Sequence, residues 1–291
     1  MTHDSNHMTR EYFDSLMLET RYIDSDLPDT KFELWGETFE TPIMTAALSH
    51  LHNICDDGMV EFAKGAKDAG AVHWVGMGEP DEMERIFAAA KTVRIIKPHA
   101  NNDDVLWRIE HANRHGAFAV GMDIDHAFSH DGKYDVCRDL PMKPKSTEEL
   151  KMFVQASKVP FIVKGVLSVQ DAVKCAEAGV GGIVVSHHHG RMNSCIPPLM
   201  ALPRIKAAVG DSMKIFVDCG IESGMDAYKA LALGADAVSV GRNLMGPLAE
   251  GAVGVTRRLN DMTGELRATM ARTGVKSLSD FDPSVIYPRN F

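Results

Sequence analysis

A chain of 291 residues with 45% hydrophobic and 24% charged side chains has the composition of an ordinary globular protein that can bury a large core, and disorder is not indicated. Its 31 basic against 40 acidic residues give a net charge of -9 with no Lys/Arg-rich run; this argues against an electrostatic grip on nucleic acid or an anionic membrane and favours a small-molecule partner. Five cysteines at 55, 137, 175, 195 and 219, an odd number without CxxC spacing, argue against a disulfide framework or a structural zinc site and fit a reducing cytoplasm.

The first thirty residues are polar and acid-rich and lack the apolar stretch of a signal peptide; residues 1–31 read as an N-terminal extension. No segment approaches the length needed to span a bilayer. Short apolar runs then recur, each bounded by Gly, Pro, Asp or Ser as buried parallel strands are: PIMTA (42–46), AVHWV (71–75), VRIIK (93–97), AFAVGMD (117–123), FIVK (161–164), GGIVVS (181–186), KIFVD (214–218) and AVSVG (237–241). Between them lie amphipathic helical stretches: DGMVEFAKGAKDAG, DEMERIFAAAK, DVLWRIEHANRHG, STEELKMFVQAS, SVQDAVKCAEAG, PPLMALPRIKAAVG and SGMDAYKALALGA, many ending in the glycine expected just past a helix. Eight βα units predict an α/β fold, a closed (β/α)8 TIM barrel forming a single domain over 32–291. A doubly wound sheet is the runner-up, but it rarely needs eight successive strands with near-uniform crossovers. The segment DIDHAFSHDGKYDVCRDLPMKPK, about 124–146, exceeds a usual βα connection and is expected to be a lid-like loop over the mouth.

In such barrels the active site lies at the C-terminal strand ends, so the residue closing each run is a candidate on geometry alone. The set is Lys97, Asp123, Lys164, Ser186 with His187, His188 and His189, Asp218, and Gly241-Arg242. Any one of these is often only a solvated rim. Together they could hold and polarise an anionic ligand. VSVGRN places Gly241 and Arg242 where barrels commonly build a phosphate site, and VDCGIESG adds a glycine-rich turn at Gly220 and Gly224. The three consecutive histidines leave a metal cluster, a catalytic base and a polar turn all open.

The run PFIVKGVLSVQDAVKCAEAGVGGIVVSHHHGR, continued through IFVDCGIESGMDAYKALALGADAVSVGRN, resembles the FMN-dependent 2-hydroxy-acid oxidising enzymes, the glycolate oxidase, lactate oxidase and flavocytochrome b2 group. The motifs VKGV, VS-x-H-x-x-R, VD-x-GI-x-x-G and KALALGA-x-x-V-x-x-GR carry it, and it extends more loosely back through WGETFETPIMTAA. The resemblance implies FMN as cofactor and a small 2-hydroxy acid or related hydroxylated compound as substrate. It implies that Lys164 stands beside the flavin pyrimidine edge, favouring the negative charge left by reduction. Ala46, Ala47, Lys97, Asp123, Ser186, Asp218 and Gly220 fall on cofactor-binding positions, and Gly241 and Arg242 on the phosphate clamp. His188 falls on the base that takes a substrate proton as a hydride, or its carbanion equivalent, reaches flavin N5; Asp125 falls on the carboxylate that orients it. Arg191 falls on the guanidinium that grips the substrate carboxylate, and His99 lies on the substrate side. A homo-oligomer, tetramer or octamer, is implied too.

The departures from the family pattern cluster on the substrate side. Gln-x-Tyr after strand three reads Lys97-Pro98-His99, a strand-four threonine reads Asp123, and the loop after strand four carries no second arginine before the glycine of DIDHAFSHDG. A tyrosine-bearing N-terminal region is missing. One phosphate-side arginine reads Glu222 and the glycine three residues earlier in the turn reads Cys219. These changes keep alternatives open: an FMN-dependent isomerase or reductase with a redesigned pocket, a metal-dependent lyase using the histidines, or a non-catalytic flavin or phosphate-ligand sensor. His50, His52, His126 and His130 join His99 and the histidine triplet as residues that could approach a metal, although consecutive histidines diverge and at most two of the three could share one ion; the expected metal content is none.

Overall fold

A computed structural model describes residues 4–289. Its eight parallel strands are β1 (Ile43–Thr45), β2 (His73–Val75), β3 (Thr92–Ile96), β4 (Ala119–Asp123), β5 (Phe161–Val166), β6 (Gly182–Val185), β7 (Lys214–Val217) and β8 (Ala237–Val240). They hydrogen-bond in the order β1-β8-β7-β6-β5-β4-β3-β2. The ring closes between β1 and β2, where the Thr45 N–H donates to the Val72 carbonyl at 3.2 Å and Leu48 bridges Val75. The result is the expected TIM barrel.

The outer layer consists of α1 (Ser5–Ser15), α2 (Gly58–Asp68), α3 (Pro80–Ala89), α4 (Asn102–Arg114), α5 (Thr147–Ala156), α6 (Val169–Glu177), α7 (Pro198–Val209), α8 (Gly224–Ala232) and α9 (Ala252–Arg272). Side-chain caps start several of them: Ser146 forms a full capping box with Glu149, and Ser168 and Ser223 accept from Asp171 N–H and Asp226 N–H. Helices α1 and α9 lie outside the sequence expectation. The buried stripe of α1 is Ser5, Thr9 and Phe13, two of them hydroxyl residues, so no hydrophobic period announces it. The stripe of α9 (Val255, Leu259, Met262, Leu266, Met270) is helical in spacing but follows the eighth strand, beyond the strand-to-strand connections.

Residues before the first barrel strand pack on the barrel. Leu16–Leu18 pairs antiparallel with Ile286–Pro288, and the hairpin Phe32–Leu34/Glu37–Phe39 sends Phe32, Leu34 and Phe39 into the interior against Met44, Trp74 and Phe216. The 124–146 segment holds a 3-10 turn at Ile124–His126, a bridge from Phe128 to Tyr134 and a short hairpin, Val136–Cys137 with Leu140–Pro141.

Strand alternation positions the site. Ile95, Gly121, Ile162, Val184 and Phe216 occupy one inner level of the barrel strands, so the residues two further on, Lys97, Asp123, Lys164, Ser186 and Asp218, form the next level at the C-terminal mouth. All five are buried. An apolar floor beneath a ring of charged and hydroxyl groups thus follows from a period of two applied to neighbouring strands.

Candidate active site

The ring is an alternating charge ladder. Lys97 Nζ donates to Asp123 Oδ2 at 2.7 Å, Lys164 Nζ lies 3.5 Å from Asp123 Oδ1 and 3.3 Å from Asp218 Oδ2, and Ser186 Oγ is 3.5 Å from the same ammonium. Burial alone would discharge Lys164, but Asp218, Asp123 and Asp125 outweigh it and raise its pKa above the ordinary lysine value. Burial likewise opposes ionisation of Asp123 and Asp218; Lys164 acts on both, joined by Lys97 at Asp123 and by the Ser186 hydrogen bond at Asp218, and holds both below the usual carboxylate range. Asp123 Oδ1 is nevertheless buried with no hydrogen-bond partner among the described residues.

His188 stands beside this ladder with a left-handed backbone (φ 48°), its N–H donating to Ser186 Oγ at 3.0 Å. Its Nδ1 is 2.8 Å from Asp125 Oδ1, so a proton on Nδ1 is donated to the carboxylate and Nε2 keeps its lone pair. Asp125 reaches this position because residue 165 is glycine: with φ +92°, a Cβ there would lie 2.6 Å from Asp125 Cγ and Oδ2. The glycine of VKGV thereby makes room for the histidine's carboxylate partner.

The flanking histidines have different partners. His187 Nδ1 accepts from the Gly190 N–H at 3.0 Å, which leaves Nε2 to donate to Thr9 Oγ1 at 2.7 Å. Arg242 Nη1 donates to His189 Nε2 at 2.8 Å, so His189 Nδ1 donates to Asn6 Oδ1 at 2.6 Å. Ser5 Oγ adds a bond to the Met192 carbonyl at 2.7 Å. Helix α1 therefore clamps the loop that carries His188, and two of the three histidines are its anchors. Nothing local in the sequence marks either role, because the partners lie 178 and 183 residues away.

Arg191 turns its fork onto the 124–146 segment: Nη2 donates to Asp135 Oδ2 at 2.8 Å and the Phe128 carbonyl at 2.9 Å, and Nη1 to His126 Nδ1 at 3.0 Å. Burial and the nearby Lys97 push His126 down to about 4, so it is neutral at pH 7.

Two cavities flank these residues. One, of about 420 Å³, is lined by Ala46, Ala47, Lys164, His188, Asp218 and Gly220, and extends to Glu222, Gly241 and Arg242. The other, of about 780 Å³, is lined by Asp125, Ser186, His187 and Arg191 beneath Phe128 and His130. Lys97 and Asp123 support Lys164 and do not line either. His99 is placed elsewhere, in a small cavity with Lys97 under the Val136–Pro141 hairpin. Arg258 of α9 fastens the far end of the first cavity, donating to Asn243 Oδ1 at 2.8 Å and the Glu222 carbonyl at 2.7 Å; nothing in its local sequence marks it.

Asp123, His126 and His188 offer ligand atoms within 4.8 Å of one another, as a metal site would. Their donors are already committed, Asp123 to two ammonium groups and His188 Nδ1 to Asp125. That chemistry suits a base better than a ligand set.

A family profile described as FMN-dependent dehydrogenase matches residues 2–150 and 142–288. An L-lactate oxidase of Alicycliphilus denitrificans is 30% identical over 89% of this chain and 81% of its own length, and a human 2-hydroxyacid oxidase 2 is 28% identical over 94% and 87%. A mandelate oxidase mutant solved with a C4a-OH-FMN adduct superposes with a TM-score of 0.88 at 27% identity, covering 97% of this chain and 91% of that one.

Proposed function

Since the chain belongs to the FMN-dependent dehydrogenase family, we propose that it oxidises a small 2-hydroxy acid to the 2-oxo acid, with His188 as base and Arg191 recognising the carboxylate. It is an FMN-dependent oxidoreductase built on a TIM barrel. The observation that carries the reading is His188, held by Asp125 at Nδ1 and lining the cavity that buried, protonated Lys164 also lines.

The residues present suit FMN. Ala46, Ala47 and Gly220 give the cavity small walls, Lys164 and Asp218 supply a buried donor and acceptor, and Ser186 stands behind them with its hydroxyl 3.5 Å from the Lys164 ammonium. Gly241 and Arg242, backed by Asn243, form the phosphate end. FMN, when bound, supplies the two-electron acceptor.

Oxidation of the alcohol carbon removes two electrons and two protons. His188 Nε2 takes one proton, and Asp125 at Nδ1 stabilises the imidazolium that results. Lys164 stays charged throughout and provides a fixed positive potential without reorganising. The substrate carboxylate exchanges with Asp135 on Arg191, one carboxylate replacing another, so binding loosens the 124–146 segment, which acts as a lid.

Replacing His188 with Gln tests the assignment: turnover should disappear while FMN stays bound, and full activity in the variant would refute it. Lys97, Asp123 and the displaced His99 favour a second reading, an FMN-dependent isomerase or reductase; retained flavin that lactate, glycolate and mandelate all leave oxidised would point to it. Among the described residues no helix is long and apolar enough to cross a membrane. A cytoplasmic homo-oligomer is part of the same proposal, in keeping with five unpaired cysteines.

A further inference from the structure

A small cavity of about 50 Å³ lies under the Val136–Pro141 hairpin, between the ends of β2 and β3 and helix α4, on the outer side of the sheet. Arg94, Lys97, His99, Arg108 and Arg138 all line it. Arg94 projects outward from β3 because Val93 and Ile95 take the inner positions.

Three of the four cations have carboxylates. Lys97 is on Asp123, Arg138 on Glu79, and Arg108 has Asp104 at 3.7 Å. Arg94 has none. It is 3% exposed, and among the described residues it has no carboxylate within 4 Å and one hydrogen-bond partner, His111 Nδ1 at 3.1 Å. Accepting from a guanidinium requires that nitrogen to be unprotonated, so His111 brings no compensating charge. Glu84 reaches Arg94 only through the far side of that ring, at 3.4 Å from His111 Nε2, so Arg94 is the one cation of the four without a direct carboxylate partner among the described residues. A second observation concerns the same lining: His99 is 5% exposed and its Nδ1 is buried with no hydrogen-bond partner among the described residues.

An uncompensated buried charge is among the most destabilising features a fold can carry, and a guanidinium fork is matched in shape by an oxyanion. We propose that this cavity is a binding site for a small oxyanion, a carboxylate or inorganic phosphate, held by Arg94 with Arg108 and His99 and closed over by Arg138 of the hairpin. Burial and the neighbouring Arg108 weaken Arg94's hold on its proton, lowering it to about 10, and an anion there reverses that cost. His99, pushed down to about 4 by burial and by Arg108, is neutral at pH 7 and turns its single N–H to the anion. The space admits a group of a few heavy atoms. The site is separate from the cavity assigned to FMN, so it stands or falls independently of the proposed reaction.

The test uses the FMN-saturated protein in an oxyanion-free chloride buffer, with the thermal midpoint followed as sodium phosphate or sodium acetate is added at constant ionic strength. A saturable rise with one of the two is expected, and which one responds identifies the source of the oxyanion. Arg94→Met should weaken that response roughly tenfold or more, as loss of a charge-assisted pair does. It should also leave the midpoint in chloride unchanged or higher, whereas a purely structural arginine would lower it. Arg108→Met, on the half-buried helix face, should weaken the response as well and serves if the first variant does not fold. No saturable rise in the unmodified protein, or an equal rise in both variants, overturns the proposal.

Discussion

Lys97 Nζ and Asp123 Oδ2 lie 2.7 Å apart, both side chains buried, at two positions where the family resemblance leads one to expect glutamine and threonine. Two departures that look independent in sequence are one compensated exchange across neighbouring strands, with no change in net charge. Breaking it from either side should be costly: Lys97→Gln or Asp123→Thr alone leaves a buried charge unmatched, at roughly 3–5 kcal/mol, while the double variant recovers most of the loss. Urea unfolding of the four FMN-loaded proteins measures the coupling; additive losses would show that the pair is not a unit.

Gly165→Ala should act on chemistry more than on cofactor binding. The added Cβ meets Asp125 at 2.6 Å in a backbone conformation alanine resists, so His188 loses its partner. We expect kcat to fall roughly 100-fold or more, in the range that displacing an acid–base group produces, with FMN retained. A variant with normal kcat would separate Asp125 from the reaction.

Asp135→Asn should lower KM with little change in kcat. The Asp135 carboxylate occupies Arg191 at 2.8 Å in competition with a substrate carboxylate, and both partners are partly exposed. Removing it should tighten substrate roughly several-fold, the modest effect expected of a solvent-screened pair. Steady-state kinetics decide; an unchanged or raised KM would mean that Asp135 holds Arg191 in its working position.

Glu222 lines the phosphate end beside Arg242. Glu222→Arg should tighten FMN roughly tenfold or more, by restoring a charged contact of about 1.5–3 kcal/mol. Flavin fluorescence quenching on the apoprotein measures it, and equal affinities would place the phosphate away from this turn.

Stability should fall as pH drops from about 6.5 towards 3. Burial holds His73 at about 3, against an unperturbed 6.5, so the unfolded chain binds the proton first. The stabilisation is present above the unfolded pKa and lost as pH falls to the folded one. His99 and His126, both lowered to about 4 by burial, contribute in the upper part of that window. Unfolding free energies across this range should slope less steeply for His73→Leu, and parallel curves would assign the acid lability elsewhere.

Much of this was legible in the chain. Each strand appears where the sequence has an apolar run, five of the eight runs ending in a charged or hydroxyl residue, and each boundary moves by no more than two residues, because buried parallel strands announce themselves by composition. The mouth residues follow by counting two past the apolar layer. What stayed hidden depends on distant partners. The Thr9–His187 and Asn6–His189 bonds join segments far apart in sequence, and the Arg94 charge imbalance exists only once α4 has packed against β3. His99, expected on the substrate side, lies under the hairpin because Met142 bridges it there.

Mixing the FMN-loaded protein anaerobically with lactate, glycolate and mandelate, while following the visible flavin absorbance, tests the central claim most directly. The account predicts that at least one of these acids bleaches the flavin in the unmodified protein. Persistent colour with every 2-hydroxy acid would contradict the proposed oxidation.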